Sequence, residues 1–514
     1  MRYAVSKEIA IAEYLDFDVV IVGAGLAGLY TSLHMEDTYS CCILTKERLD
    51  VSCSWLAQGG IAAAISADDA PHFHLEDTMV AGAGLCDPAA VSVLVDEGPG
   101  DIRTLQNMQV PFDQSDSGDL LITREGGHRR RRVVHAGGDA TGRETVKVLS
   151  ALVAERNNVS LMGRAFLVDI LLDGAGALWG ALIHVQGAYR VIRTRHLIIA
   201  TGGIGQVYAS STNPPVATGD GIAAAMRAGA KLKDMEFVQF HPTGLWKASD
   251  SGQAFLISEA VRGEGGILRN HAGEAFMEGQ HELKDLAPRD IVARAILREM
   301  EKTGKNHVYL DIRHQPRAFL ENRFPTIYKT CMEEGIDMSR DLIPVCPVQH
   351  YLIGGIHTDL YGRTNIPGLY ACGEVASTGI HGGNRLAANS MLECLVFGRR
   401  VAEDVTRSLS AQTSAPQPSF RPPISARPGF TIDEPALRRR VQEMMSEHGA
   451  ALRTGEGLFQ ALEEIRAIRK MLEAKFDDRR VYIELLNIVT VAEAILAGAL
   501  DRRESVGAHF RKDG

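Results

Sequence analysis

The chain has 514 residues, of which 45% are hydrophobic and 23% are charged. At roughly 150 residues per domain, this length predicts about three domains, and the composition argues against a disordered chain or a coiled coil. Lysine and arginine number 55 against 64 aspartate and glutamate, a net charge of −9, so no overall basic field favours nucleic acid. The eight cysteines have no C-x-x-C spacing, so we expect reduced thiols and no metal site.

Targeting signals are not evident in the sequence. The N-terminal residues carry charges too early for a secretory signal, and no run of about 18 uncharged apolar residues occurs. The nearest candidate, residues 481–500, contains Glu484, Asn487 and Glu493, which predicts a buried or amphipathic helix. We therefore expect a cytoplasmic protein with no membrane partner.

The first predicted element is the buried strand DVVIVG, followed by Gly23-x-Gly25-x-x-Gly28 and a helix. Gly23 permits a tight turn, Gly25 lets the backbone approach a pyrophosphate, and Gly28 lets the helix pack on the strand. The helix N-terminus offers free N–H groups to phosphates. The next strand, CCILTK, ends at Lys46 with Glu47 beside it, where an acid ordinarily contacts the ribose, so the ribose contact stays open.

Two further segments favour a flavin nucleotide when they are combined with this fingerprint. The loop SCSWLAQGG places Ser54, Gln58, Gly59 and Gly60 where they could donate to a flavin ring, although an ordinary polar loop is an equal alternative. Downstream, the strands HLIIATGG and GLYACGE end in glycine-rich turns, and Glu374 could accept a hydrogen bond from a sugar hydroxyl. Taken separately, these would be two ordinary sheet strands.

A set of charged residues is distributed as a dicarboxylate site would require. Two carboxylates need fixed cationic partners, which arginine forks supply better than lysine. Any one of these residues alone has an ordinary structural explanation. The set comprises His241, Ser258, Glu259, Arg262, Arg289, His350 and Arg385. By contrast, the run HRRRR at 128–132 predicts a solvated face.

The C-terminal part is set apart by a proline-rich linker at 413–429. After it, apolar residues recur at three- and four-residue steps, which predicts a helical domain. Before it, short Val/Ile-rich runs end in glycine-rich turns, as buried parallel strands do.

The sequence resembles the flavoprotein family of succinate dehydrogenases and fumarate reductases, from Asp18 to the C-terminal RRESVGAHF. The motifs that carry the resemblance are LAQGGIAAA, REGGHRRRRVVHAGGDATG, QFHPTG, EAVRGEGG, LAPRDIVARAI and GGNRLAANSM. It implies an α/β, Rossmann-like FAD-binding domain, an inserted α+β capping domain and a C-terminal helical domain. The expected boundaries are 1–232 and 353–412 for the FAD-binding domain, 233–352 for the capping domain, 413–429 for the linker and 430–514 for the helical domain.

The resemblance implies noncovalent FAD. Respiratory relatives carry a histidine that binds FAD covalently, and the matching position here is Cys53. We also expect the helix that begins near residues 389–391 to direct its N–H groups at the flavin. The predicted cofactor-binding residues are Gly23, Ala24, Gly25, Leu26, Ala27, Gly28, Lys46, Cys53, Ser54, Gln58, Gly59, Gly60, Asp220, Glu374, Asn389, Ser390 and Met391.

The resemblance also implies the substrate site. Contacts to the substrate are expected from His241, Ser258, His350 and Arg385. Arg289 is expected to transfer the proton and, with His241 and His350, to form the catalytic set. Glu125 of the REGGH motif would face a substrate ammonium, and a carboxylate suits that charge. Two departures from the family pattern are that Ser258 stands where threonine is common and that Ala388 replaces a serine, so one hydrogen bond could be missing.

Within this family, the resemblance and the carboxylate of Glu125 imply oxidation of L-aspartate to iminoaspartate. Fumarate or O2 would reoxidise the flavin, and the product would pass to quinolinate synthase in NAD biosynthesis. Two alternatives stay open. One is the flavoprotein subunit of a fumarate reductase or succinate dehydrogenase, which would need an iron–sulfur partner. The other is a flavin-binding module without catalytic activity.

Overall fold

The computed structural model describes residues 3–4, 9–247, 252–411, 432–474, 477 and 479–514. The predicted linker at 413–429 lies outside these residues. The strands are β1 (Ile11–Val22), β2 (Cys41–Thr45), β3 (Ile61–Ala62), β4 (Ile122–Thr123), β5 (Val133–Val134), β6 (Val159–Gly163), β7 (Ala165–Leu172), β8 (Leu178–Val185), β9 (Ala188–Ile199), β10 (Leu232–Lys233), β11 (Val238–Leu245), β12 (Ile267–Arg269), β13 (Val308–Asp311), β14 (Ile343–Leu352), β15 (Gly355–His357), β16 (Leu369–Ala371) and β17 (Ala376–Ser377). The helices are α1 (Leu26–Leu33), α2 (Pro71–Ala81), α3 (Pro88–Asn107), α4 (Thr141–Ala154), α5 (Asp220–Ala228), α6 (Glu259–Gly263), α7 (Arg289–Thr303), α8 (Arg317–Arg323), α9 (Pro325–Glu333), α10 (Asn389–Ala411), α11 (Glu434–His448), α12 (Gly455–Ala474) and α13 (Arg480–Asp501).

The central sheet has the strand order β6-β2-β1-β9-β8-β7, with β16 also paired to β9. Strands β6, β2, β1, β9 and β16 run parallel, whereas β7 and β8 form an antiparallel edge. Helices cover both faces of the parallel part, which is why its strands are continuous apolar runs. Val20 and Val22 pack into one core and Val19 and Ile21 into the other. The predicted α/β fold class is confirmed.

A second sheet, in the order β11-β14-β13-β12, is antiparallel and carries α7, α8 and α9 around a core of its own. It occupies residues 238–352, within the segment expected to form the cap. The glycine-rich turns at the carboxyl ends of β1, β9 and β16 lie below it, and the site described below is enclosed between the two parts.

The C-terminal helices α11, α12 and α13 pack on the central sheet from the side of α5. By length and composition α13 could cross a membrane, but 72% of its most apolar window is buried inside the protein. The prediction of a buried helix at 481–500 is thereby confirmed.

The arginine run at 128–132 differs from its prediction. His128 and Arg132 are buried, and Arg132 pairs with Asp69 at 2.8 Å and with Asp77 at 2.6 Å. Burial lowers the pKa of His128 to about 4. The solvated-face prediction is wrong for these two residues, because acids distant in the sequence supply the partners that a buried guanidinium requires. Arg129 and Arg131 are exposed.

Candidate active site

The floor of the cavity is the turn between β1 and α1. A Cβ at Gly23, where φ is +117°, would lie 2.1 Å from the Ala200 carbonyl oxygen. A Cβ at Gly28 would lie 1.9 Å from the Gly23 carbonyl oxygen, so this glycine lets α1 pack against the turn. Gly25 lines the cavity beside Ser54, whose hydroxyl accepts the Leu26 N–H at 3.0 Å.

Fifteen of the seventeen predicted cofactor-binding residues line this cavity, and Gly28 and Asn389 do not. Gly28 has the packing role just described. Asn389 begins α10, but its side chain turns away and contacts His74 at 2.8 Å and Thr78 at 3.1 Å. The following residues, Ser390 and Met391, do line the cavity.

Lys46 organises one end of the cavity. Its Nζ lies 2.7 Å from Asp220 and 2.9 Å from Glu484, and it donates to the Thr218 hydroxyl at 2.6 Å. Asn487 donates to the second oxygen of Asp220 at 2.8 Å. Because Glu484 and Asn487 belong to α13, the C-terminal helical region takes part in shaping this end.

Glu374 also lines the cavity, and its carboxylate accepts the Leu352 N–H at 3.0 Å. Burial raises the pKa of its carboxyl group to about 7. Cys53 lies nearby in the cavity lining, and burial raises the pKa of its thiol well above the ordinary value, with the charge of Glu374 adding to the effect.

The opposite end is a buried cluster of charges. Arg289 is the first residue of α7, and its Nε donates to Glu259 at 2.6 Å. Arg262 lies 3.0 Å from the other Glu259 oxygen. Burial raises the pKa of the Glu259 carboxyl, but the two guanidinium groups outweigh it, so the net pKa lies below the ordinary value. Glu259 is therefore held as a carboxylate between two cations.

Two histidines face the same space, with ring centroids 5.1 Å apart. Burial lowers the pKa of His241 and of His350 well below the ordinary range, and the positive charge of Arg289 lowers both pKa values further. Both rings are therefore neutral at pH 7. His241 Nδ1 accepts the Thr243 N–H at 3.2 Å, which leaves the proton on Nε2. That Nε2 has no partner within the described part of the chain, so it is a free donor.

Arg385 approaches from the loop before α10. Its guanidinium lies 4.5 Å from the Tyr351 ring centroid and donates to the Ser390 hydroxyl at 3.2 Å. Burial, followed by the charge of Arg289, lowers its pKa to about 10, so Arg385 remains charged at pH 7. Its Nε is buried without a partner among the described residues.

Glu125 and Ser258 complete this end. The Glu125 carboxylate is buried and lies 3.5 Å from the Gly60 N–H, and burial together with the charge of Glu259 raises its pKa. Ser258 lines the cavity and caps α6, with its hydroxyl accepting the Ala260 N–H at 3.3 Å. The structure thus brings together all six residues predicted for substrate contact and catalysis.

Sequence reasoning missed one residue of this cluster. Gln239 is fully buried; its Oε1 accepts from Arg289 at 3.1 Å, and its Nε2 donates to the Arg385 carbonyl oxygen at 2.9 Å. The signal was present in QFHPTG, because residues two apart on a strand share a face, and Gln239 precedes His241 by two.

The cavity suits a flavin nucleotide. Its floor is lined by glycines that leave the backbone open, including Gly202, where a Cβ would meet no atom within 4 Å. Two polar atoms of the lining, Gln58 Oε1 and Thr201 Oγ1, are buried without a partner in the described residues. Buried polar atoms of this kind ordinarily bind something, and an elongated polar cofactor would supply the partners.

Family models agree with this assignment. The model for an FAD binding domain matches residues 18–391, and the model for the fumarate reductase flavoprotein C-terminus matches residues 438–514. FAD is therefore the cofactor of this cavity.

Individual relatives are similar over nearly the whole chain. L-aspartate oxidase of Streptomyces coelicolor is 45% identical over 96% of this chain and 88% of that protein, and the Neisseria meningitidis L-aspartate oxidase is 44% identical over 97% and 99%. Among solved structures, E. coli quinol fumarate reductase FrdA is 30% identical with a TM-score of 0.89, covering 98% of this chain and 92% of that chain. Mycobacterium smegmatis Sdh1 is 31% identical with a TM-score of 0.82, covering 97% and 89%.

Proposed function

Because the chain belongs to the L-aspartate oxidase family, within the flavoproteins related to fumarate reductase, we propose that it oxidises L-aspartate to iminoaspartate. The observation that carries this proposal is the charge arrangement at the substrate end. Cationic Arg289 and Arg385, with neutral donor His241, suit two carboxylates, and the carboxylate of Glu125 suits one ammonium group. L-aspartate carries these three charges.

In the proposed reaction, the side chains hold both carboxylates of the substrate. Arg385 offers a fixed guanidinium, and the free Nε2–H of His241 donates a hydrogen bond. His350 is held by Thr212 at 2.8 Å, and Ser258 presents its hydroxyl. Holding both ends of a small substrate fixes the orientation of its Cα–H bond. The hydride acceptor for the Cα–H bond would be supplied by FAD when it is bound.

Arg289 is proposed to transfer the proton that the substrate nitrogen loses as the hydride leaves Cα, an assignment that follows the family resemblance. Because its guanidinium is already charged, Arg289 must pass its Nε proton to Glu259, its hydrogen-bond acceptor at 2.6 Å, as it takes up the proton from the substrate. Its contact with Glu259, and the contact of Glu259 with Arg262, support a relay that leads away from the cavity. Glu125 is proposed to pair with the substrate ammonium, and its raised pKa would fall once that cation is in place.

The FAD-binding side chains are proposed as those predicted from the sequence, without the side chain of Asn389 and with Gly28 acting through packing. Cys53 occupies the position of the histidine that carries covalent flavin in respiratory relatives, so FAD is noncovalent. The remaining predictions belong to this proposal: domain boundaries as given above, O2 or fumarate as acceptor, delivery of iminoaspartate to quinolinate synthase for NAD biosynthesis, and a cytoplasmic location.

One specific observation favours a second candidate. The likeness to fumarate reductase FrdA, at a TM-score of 0.89, would also suit a dicarboxylate oxidoreductase that ignores ammonium groups. Glu125 distinguishes the two candidates. Its buried carboxylate lies near Glu259 and would repel a dicarboxylate that has no ammonium group to pair with it.

The test is anaerobic. The purified protein, supplemented with FAD, is mixed separately with L-aspartate and with succinate while the absorbance of oxidised flavin is followed. Bleaching by aspartate, with recovery and peroxide release on exposure to air, is the expected result. Bleaching by succinate alone would overturn the proposal in favour of the second candidate, and no response to either would leave a flavin-binding module.

A further inference from the structure

Residues 506–510, here called the C-terminal clamp, lie outside the cavity and contact both segments that carry its arginines. No residue of the described stretch 479–514 lines the cavity. We propose that the clamp is a positioning element that holds Arg289 and Arg385 at a fixed separation, and thereby sets the affinity for a dicarboxylate and its rate of oxidation. The inference rests on the proposed function of the cavity.

The first contact is with α7, the helix that begins at Arg289. Arg294 Nη1 donates to the Gly507 carbonyl oxygen at 2.7 Å, while Nη2 pairs with Asp290 at 2.8 Å. The guanidinium groups of Arg294 and Arg298 lie 5.3 and 5.6 Å from the centroid of the Phe510 ring. A hydrogen bond and two cation–π contacts therefore join the clamp to this helix.

The second contact is with the loop that leads into α10. The Ala508 N–H donates to the Gly383 carbonyl oxygen at 2.7 Å. Gly507 adopts φ +54°, and a Cβ there would lie 2.2 Å from the same oxygen. The two backbones are therefore in direct contact, and Arg385 follows Gly383 by only two residues.

The clamp also packs behind Tyr351. Ala508 and Val506 form a small apolar cluster with Phe237, Tyr351 and Ile353. The Tyr351 hydroxyl donates to Glu393 at 2.8 Å, and its ring carries the Arg385 guanidinium. The clamp thus supports the ring on which one of the two arginines rests.

The clamp is itself anchored. His509 Nδ1 lies 2.7 Å from Arg453 Nη1, which donates to the Glu236 carbonyl oxygen at 2.8 Å. The Arg453 N–H donates to the Phe510 carbonyl oxygen at 3.0 Å. Arg453 is fully buried. The anchored clamp therefore connects the C-terminal helical region, α7 and the loop that contains Arg385.

The main test uses Arg294→Met, which removes the donor to Gly507 and the cation over Phe510 but keeps an apolar stem. Arg317→Met is the matched control, because Arg317 also lies on a cap helix, pairs with Glu321 four residues on at 2.9 Å, and stacks over Tyr328 at 5.8 Å. Arg294→Lys retains a donor and should restore part of any loss. Gly507→Ala attacks the loop contact independently.

The readouts are FAD affinity, succinate affinity from the flavin absorbance shift, kcat and KM for aspartate, and hydrogen exchange of the FAD-loaded protein. We expect Arg294→Met and Gly507→Ala to reduce kcat/KM and succinate affinity about tenfold or more, since an arginine displaced by about 1 Å can cost that much. FAD affinity should stay within about twofold, and exchange should accelerate at residues 289–293 and 383–388. Arg317→Met should change none of these.

Two outcomes would overturn the clamp. One is faster exchange at residues 506–510 in either variant with wild-type kcat/KM and succinate affinity. The other is loss of FAD in parallel with activity, which indicates a merely structural role. If Arg294→Met does not fold, Gly507→Ala decides alone. If wild-type protein fails to oxidise aspartate, the proposed function fails, but succinate affinity and hydrogen exchange still decide on the clamp.

Discussion

The two ends of the cavity are assembled from the chain in different ways. The nucleotide end is built around one strand–turn–helix, where Gly23, Gly25 and Gly28 fall within six residues, and Lys46, Asp220 and α13 complete it. The substrate end combines Glu125, Arg289 and Arg385, which come from three separate segments. The glycine motif forms within one turn of the chain. The substrate end forms only when the second sheet and its helices pack over the glycine-rich turns. Changes at the substrate end should therefore impair chemistry without releasing FAD.

The largest expected effect is that of Arg289→Leu. Removing a proton-transferring group should lower kcat about 10²- to 10⁴-fold, while FAD affinity stays unchanged because α7 is no part of the glycine-lined floor. Stopped-flow reduction by aspartate and flavin fluorescence measure the two quantities. Arg317→Leu, on α8 outside the cavity, is the control. Parallel loss of FAD would show that the two ends are not independent.

Glu125→Gln should discriminate between substrates. A hydrogen bond to a charged group contributes about 1.5–3 kcal/mol, so kcat/KM for aspartate should fall about 10- to 100-fold. Affinity for succinate should hold or rise, because a buried negative charge near Glu259 is removed. Glu264→Gln is a matched control, since Glu264 pairs with Arg323 at 3.1 Å and does not line the cavity. Equal losses for both ligands would contradict the ammonium-binding role.

The same contrast explains what the sequence could predict. The glycine turn and the helix at 481–500 follow from local spacing and apolar periodicity, so their prediction needed no knowledge of the tertiary fold. Arg132 was misplaced because its partners, Asp69 and Asp77, become neighbours only after folding. Gln239 shares a strand face with His241 in QFHPTG, a signal that the local pattern contains, but its contacts with Arg289 and with the Arg385 carbonyl oxygen form only after folding. The charged set at the substrate end is selected from its residue types, whereas Glu125 and the role of each residue come from the family resemblance.

The pH dependence of FAD binding should sharpen the contrast at the nucleotide end. In FAD-free protein, burial raises the pKa of Glu374 to about 7, and a sugar hydroxyl is best accepted by the ionised carboxylate. Above pH 7 the Glu374 carboxyl is already ionised. Below pH 7 it is protonated, so FAD binding must release a proton from it. The Kd of FAD should therefore rise by up to about tenfold per pH unit below 7. A titration from pH 8 to 6 checks this, and Glu374→Gln should flatten it. If the Kd of FAD in Glu374→Gln still rises as steeply below pH 7, a group other than Glu374 causes the pH dependence.

The smallest expected effect concerns the contribution of α13 to the nucleotide end. Glu484 pairs with Lys46 at 2.9 Å, and the two side chains are only 12% and 15% exposed. Lys46 nevertheless keeps a second carboxylate partner, Asp220, at 2.7 Å, and glutamine at 484 can still accept a hydrogen bond. Glu484→Gln should therefore weaken FAD binding only about two- to fivefold, with little dependence on salt, because a largely buried pair is weakly screened.

The matched control for that substitution is Glu493→Gln, which lies on the same helix but pairs with Arg466 and Arg469 of α12. It should leave FAD affinity unchanged, and neither variant should alter KM for aspartate. If Glu484→Gln changes KM for aspartate but not FAD affinity, α13 acts on the substrate end. That result would contradict the assignment of α13 to the nucleotide end. A loss of FAD affinity confined to Glu484→Gln would instead show that even the end built from a local motif depends on one contact from a distant part of the sequence.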